Sequence, residues 1–193
     1  LRSPRPSRSW GSSPCCPLTS MNTLVTSLSR LEPVRVAHAA EMLVLLSDPR
    51  IYEHLDRKPP ASLQELEERY RRYETTFSPD GTERWLNWII RPHDGGACAG
   101  FMQASVNADG SADFGYILGP AFWGRGLAFD AASAVIRALH DYFAVTALYA
   151  TADRLNERSI RLLSRLGFQR IDRSEYPHGE APASDDVFRL NLL

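Results

Sequence analysis

Lysine is almost missing from this chain. Lys58 is the single lysine among 22 basic residues, so lysine-based covalent or acid–base chemistry has one possible site, in a stretch that continues into Pro59-Pro60 and reads as a loop. Cysteine is scarce too. Three are present, two of them adjacent at Cys15 and Cys16, which excludes a disulfide framework and a cysteine-built metal site. Cys98 lies in an apolar run and reads as a small buried hydrophobe rather than a nucleophile. A reducing, cytoplasmic setting is therefore expected. The five histidines, His38, His54, His93, His140 and His178, have no metal-ligand spacing, and no metal is expected. Excess charge is also lacking. A formal net charge of −1 provides no electrostatic reason to bind nucleic acid or an anionic membrane. No apolar run approaches the ~18–20 residues needed to span a bilayer.

What is present suffices for one domain with a real core. The chain has 193 residues, 44% of them hydrophobic, with four Trp and eight Phe. Residues 1–20 stand apart: they are rich in Ser, Pro and Arg, contain no acid and carry no apolar period, so they are expected to be a disordered extension. The patterned region, 21–193, opens at Met21. Residues 23–32 read as a strand. Val36, Ala39, Ala40, Leu43 and Leu46 give helical spacing up to Asp48-Pro49, and Ser62 with Glu65 forms a capping box for a helix to about Tyr73. Three strand-like runs follow at 84–91, 98–107 and 113–118, separated by His93-Asp94-Gly95-Gly96 and Asn107-Ala108-Asp109-Gly110, a meander. The second half alternates. Residues 125–143 form an amphipathic helix, 147–151 a strand and 156–166 a helix stopped by Gly167, and strands at 168–173 and 186–192 follow. The strand–helix–strand unit at 113–151 is long enough for a crossover, so those two strands should be parallel. The expected fold is α+β, a mixed sheet with helices on both faces.

Trp123-Gly124-Arg125-Gly126-Leu127-Ala128 lies between a strand and a helix. The first N–H groups of a helix have no internal partners and point outward with the positive end of the dipole, so an anion fits there. Two glycines let a phosphate approach the backbone, and Arg125 adds a charge. A plain Gly-rich turn explains the same residues without a ligand.

In context the segment resembles the acetyl-CoA pyrophosphate loop of the GNAT superfamily of N-acetyltransferases. The pattern there is Gln or Arg, two residues, Gly, one residue, then Gly or Ala. Gly126 and Ala128 match, and Trp123 departs from the first position. Asp113-Phe114-Gly115-Tyr116-Ile117 before the loop, and Asn156-Glu157-Arg158-Ser159 leading to Leu166-Gly167-Phe168 after it, resemble the ribosomal-protein N-terminal acetyltransferase-like (RimJ/RimL-like) branch. The resemblance implies a three-layer fold with about seven strands, mostly antiparallel. Its fourth and fifth strands splay to admit pantetheine, with Gly115 suited to a bulge there. It implies acetyl-CoA as cosubstrate, held by Ile117, Leu118, Trp123, Gly124, Arg125, Gly126, Leu127, Ala128, Asn156 and Ser159. It implies direct transfer to a primary amine, a protein N-terminus or a small molecule, by a monomer or homodimer. Asn156 reads equally as a helix N-cap. Ser159 stands where this branch has a serine near the coenzyme sulfur, and also reads as an ordinary first-turn serine. Asp113 is the base candidate, and also reads as an exposed strand residue. Tyr116 reads either as lining an acceptor pocket or as a half-buried strand tyrosine. A non-catalytic acyl-CoA-binding module on the same fold is the alternative. Residues 48–82 and 174–185, which would set the acceptor, carry no readable motif.

Overall fold

Apolar residues alternate along the central strands, and each parity buries against a different helical layer. Leu86, Trp88 and Ile90, with Met102, Ala104 and Val106 beside them, pack on one side together with Ala131, Val135 and Leu139. Ile89 and Ile117 pack on the other with Met42, Leu46, Leu66 and Tyr70. Two cores around one sheet make three layers.

The computed structural model describes residues 21–192, so the expected extension at 1–20 lies outside the described residues. The strands are β1 (Leu24–Val25), β2 (Ser29–Pro33), β3 (Glu83–Pro92), β4 (Gly100–Asn107), β5 (Ser111–Leu118), β6 (Ala147–Asp153), β7 (Gln169–Ile171) and β8 (Asp185–Asn191). The α-helices are α1 (Ala39–Leu46), α2 (Leu63–Glu74), α3 (Leu127–Phe143) and α4 (Glu157–Arg165). The described strands form one sheet of eight in the order β1-β2-β3-β4-β5-β6-β8-β7. Every pairing is antiparallel except β5 with β6, which is parallel across the α3 crossover as expected.

Several boundaries differ from the sequence reading for local reasons. The first strand is broken because Thr26 and Ser29 form a turn, with Thr26 Oγ1 donating to the Ser29 carbonyl at 2.8 Å; this accounts for the eighth strand. Helical spacing from Val36 begins as one 3-10 turn, and the α-helix starts at Ala39. Ser62 caps α2 by accepting the Glu65 N–H at 3.1 Å, but Glu65 reaches back to the Ala61 N–H rather than to that of Ser62. Cys98 is buried and unpaired, and burial pushes its thiol up to about 12, with the Glu41 carboxylate adding to the effect. That agrees with a packing role.

The bulge expected at Gly115 is not formed. Gly115 pairs in continuous register with Gln103, and a Cβ there would touch the Gln103 side chain at 3.3 Å. The glycine that the β4–β5 pair depends on is Gly100, where a Cβ would lie 2.0 Å from the Ile117 carbonyl oxygen. Replacing Gly100 by Ala must therefore push β5 away at the point where it leads toward the Gly-rich loop. Gly100→Ala is expected to cost more than about 2 kcal/mol, read in a thermal melt as a fall in Tm of roughly 4–8 °C.

Candidate functional site

The parallel pairing of β5 with β6 is short. Only Ser111, Ala112 and Asp113 pair, with Ala147, Leu148 and Tyr149. Beyond Asp113 the strands part, and the gap opens into a cleft of 710 Å³ that reaches both faces of the sheet. Side chains of opposite parity on β5 line it from opposite sides. Tyr116 belongs with the core under α3, while Asp113 shares its parity with Ile117, which packs toward α1 and α2.

At the C-terminal end of β5 the chain makes one 3-10 turn, Pro120–Phe122, and enters α3 through Gly124 and Gly126, with φ of 73° and 79°. Those left-handed values are what glycine supplies here. None of the backbone N–H groups from Gly124 to Phe129 donates to an acceptor among the described residues. The first helical bond at this end is from Asp130 N–H to the Gly126 carbonyl, 3.0 Å. A row of unpaired amides at the positive end of a 17-residue helix presents donors of the kind an anion takes. Asp130 faces elsewhere, holding Ser27 Oγ at 2.6 Å and the Leu28 N–H at 3.0 Å. No negative side chain therefore competes from that position for the loop amides.

Trp123, which departs from the usual loop residue, ties the loop to the strand. Its indole N–H donates to the Leu118 carbonyl at 2.8 Å, so that carbonyl already holds one donor. The guanidinium of Arg158 lies 3.9 Å from the Trp123 ring centroid, and that of Arg165 lies 4.5 Å from the Phe129 centroid. These two α4 arginines stand beside the loop, held by cation–π contacts, and the sequence reading did not single them out. Arg125 was singled out, yet its side chain does not line the cleft and lies 5.8 Å from the Phe122 ring. Ile117, Leu118, Trp123, Gly124, Gly126, Leu127, Ala128, Asn156, Ser159 and Asp113 all do line it.

Asn156 is the N-cap of α4, accepting the Ser159 N–H at 3.1 Å. Ser159 meets a partner that the sequence could not reveal. The Tyr116 phenol, across the cleft on β5, donates to Ser159 Oγ at 3.0 Å. Burial raises the proton affinity of this phenol, and the bond to Ser159 offsets only part of that, so Tyr116 keeps its proton. Because Tyr116 donates, the Ser159 hydroxyl proton is left over, and it has no acceptor among the described residues.

Asp113 is engaged rather than free. Tyr176 O–H donates to its Oδ1 at 2.9 Å, and His178 Nδ1 lies 2.8 Å from its Oδ2. The carboxylate keeps about a third of its surface (34% side-chain exposure) toward the cleft, against 12% for His178. Both partners come from the segment between β7 and β8 that carried no readable motif, and only contact across the fold distinguishes them. Charges on the two sides of the cleft differ. Arg158, Arg161 and Arg165 stand on the α4 side. Glu53, Asp56, Asp113, Asp153 and Asp185 stand on the other, with Arg50 and Arg57 among them; Arg50 is held by Asp48 at 2.6 Å.

The Acetyltransferase (GNAT) domain family matches residues 29–169. The chain belongs to the GNAT acetyltransferase family. Solved structures agree in fold. A GNAT-family acetyltransferase from Bacillus anthracis is similar at TM-score 0.70 and 12% identity, covering 88% of this chain and 98% of its own. An acetyltransferase from Agrobacterium tumefaciens str. C58 is similar at TM-score 0.68 and 19% identity, with 90% and 96% covered. RimL, a ribosomal L7/L12 alpha-N-protein acetyltransferase in complex with coenzyme A, is similar at TM-score 0.71 and 16% identity, with 89% and 98% covered. A search of curated proteins finds no match. Acetyl transfer, with acetyl-CoA as the family's donor, is thus the general activity of this GNAT domain.

Because the loop amides of this GNAT domain have no protein partners, a carboxylate placed among them should occupy the site itself. Gly126→Glu is expected to weaken coenzyme A binding by roughly 100-fold or more, the loss of about two charge-assisted hydrogen bonds. Isothermal calorimetry reads this, with circular dichroism confirming an unchanged fold.

Proposed function

We propose that this protein is an N-acetyltransferase that passes the acetyl group of acetyl-CoA directly to a primary amine in a ternary complex. The observation that carries the reading is the cleft itself, where a row of unpaired amides at the start of α3 and the Asp113 carboxylate open onto one space from opposite sides of the sheet. An anionic donor suits the first, and a cationic acceptor suits the second. The five carboxylates on the acceptor side favour an ammonium-bearing molecule before it loses its proton. Likeness in fold to RimL, a ribosomal L7/L12 alpha-N-protein acetyltransferase, supports a RimJ/RimL-like acceptor such as a protein N-terminus, and small amines of the same chemistry fit the same charges.

In this reading the backbone of residues 124–129 binds the pyrophosphate, with Arg158 and Arg165 adjoining it, and Asn156 offers its free amide N–H groups to the coenzyme. Ile117 and Leu118 provide the strand edge for the pantetheine amides. Asp113 receives the proton that the amine loses, through a water molecule. The amine lone pair forms the C–N bond, the C–S bond breaks, and its electron pair leaves on sulfur. Ser159 directs its spare hydroxyl proton to that thiolate, and Tyr116 holds Ser159 in place by filling one of its lone pairs.

The test is thiol release from acetyl-CoA with a panel of short peptides bearing free N-termini and of primary alkylamines. Turnover with a member of either class supports the reading. Tight coenzyme binding with no thiol release across the panel overturns it in favour of a non-catalytic acyl-CoA-binding module. With an active acceptor, Ser159→Ala is expected to lower kcat about 10- to 100-fold with little change in KM for acetyl-CoA. Tyr116→Phe should lower kcat less in the wild-type background and have no further effect in Ser159→Ala. Equal effects of Tyr116→Phe in both backgrounds would sink the link between the two hydroxyls.

A further inference from the structure

Asp113 is one end of a chain of polar groups that runs away from the cleft. Asp109 Oδ1 accepts the Ser111 hydroxyl proton at 2.5 Å and the Ser111 N–H at 2.9 Å. With its own proton so committed, Ser111 Oγ can only accept from His178 Nε2, 2.8 Å away. The Asn107 carboxamide nitrogen, a donor, faces the same Nε2 at the longer distance of 3.2 Å. The shorter contact, to a Ser111 oxygen whose own proton is held by Asp109, places a proton on Nε2, and Nδ1 is the nitrogen left to titrate. Nδ1 is buried and has no aligned hydrogen bond, yet it lies 2.8 Å from Asp113 Oδ2. A buried ring nitrogen held against a carboxylate that itself faces the cleft is placed to exchange a proton with it.

We infer that His178 is a positioning residue for acetyl transfer, taking up through Asp113 the proton that the acceptor amine loses. This rests on the amine-acetyltransferase reading above. The proton leaves the amine nitrogen as the C–N bond forms, passes through water to Asp113 and settles on Nδ1 of neutral His178. The departing thiolate is protonated from solvent, and His178 returns its proton to solvent, so the net products are amide and free thiol. Tyr176, donating to the other oxygen of Asp113, fixes the carboxylate with Oδ2 toward the ring.

The groups around His178 set the direction of its titration. Burial lowers its proton affinity, but the Asp113 carboxylate against the ring and the charges of Asp109 and Glu83 outweigh this and raise it above 6.5. Asp113 comes from β5, Asp109 from the turn before it and Glu83 from β3. On the remaining sides the Tyr149 ring of β6 lies 5.3 Å and the Tyr176 ring 5.6 Å from the imidazole. Arg189 of β8 lies over the Tyr149 ring, 5.7 Å from its centroid. The neutral ring is the form that accepts a proton, so activity should rise with pH through the folded value, above 6.5. The ion pair's contribution to stability runs the other way. It is complete below the unfolded value of about 6.5 and lost as pH rises through the folded one.

The experiment follows the imidazole resonances of the full chain by NMR and the pH profile of kcat/KM with the fastest acceptor of the panel, corrected for that amine's own titration. The acidic limb should coincide with the His178 titration, and Asp113→Asn should lower the His178 midpoint. His178→Gln should lower kcat about 10- to 100-fold and remove the limb, while coenzyme A affinity by calorimetry stays unchanged. Turnover of His178→Gln with the wild-type limb and rate overturns this inference alone, as does a His178 midpoint unmoved by Asp113→Asn. Absence of turnover in the wild-type chain across the panel overturns the acetyltransferase reading and this inference with it.

Discussion

Backbone pairing between β5 and β6 stops after Asp113 and Tyr149, and the rest of the site depends on that stop. A parallel pair in mid-sheet would ordinarily continue, because buried N–H and C=O groups left without partners are costly. Here the strands are kept apart by what stands between and beside them. Phe114 stacks on Phe168 with centroids 6.2 Å apart, and Tyr116 reaches over to Ser159 on α4. The Trp123 indole then holds the end of β5 by its Leu118 carbonyl. The first two contacts spend β5 side chains on α4 and its flanks rather than on β6. Beyond that point the two strands face each other across the cleft.

The same stop explains how two chemistries share one cleft. Successive side chains on a strand point to opposite faces, so Asp113 and Tyr116 could never meet across an intact sheet. Once the sheet is parted, both faces open into one space. Donor and acceptor can then approach from opposite sides, each meeting residues of one parity. Charges follow that division, with the α4 arginines on one side and the carboxylates on the other. Direct transfer needs no covalent enzyme intermediate in such an arrangement, and Cys98, the one cysteine among the described residues, is buried with its thiol held protonated.

Much of this was legible in the sequence, and the boundary of legibility has a physical cause. The meander, the crossover, the α3 stripe and the stop at Gly167 (φ 93°) depend on local periods and turn chemistry, which neighbouring residues encode. The Gly124–Gly126 loop was legible for the same reason, since helix starts and positive φ are local properties. Gly115 misled because a glycine in a strand signals either a bulge or a close contact. Only the register, with Gln103 opposite, tells which one applies. The first strand misled because Thr26 and Ser29 compete for backbone bonds with their own hydroxyls, a choice that apolar spacing does not record.

Partners of the candidate catalytic groups were not legible at all. Tyr116 and Ser159 are 43 residues apart and Asp113 and Tyr176 are 63 apart. Nothing in either local stretch encodes the other. The segment between β7 and β8 has turn-forming residues and no period, so it reads as a connection. Its placement comes instead from backbone and charge. Arg173 donates to the carbonyls of Ala181, Pro182 and Asp185, folding the segment back on itself, and this brings Tyr176 and His178 over Asp113. A loop fixed by its own arginine in this way can present an imidazole to a carboxylate of the cleft without any secondary structure. Connections of this kind, carried by a rigid sheet, are where a common fold acquires an individual chemistry. The proposed acceptor side of this cleft takes in such segments, residues 50–57 and 176–185, while the proposed donor side is built from helix and strand ends.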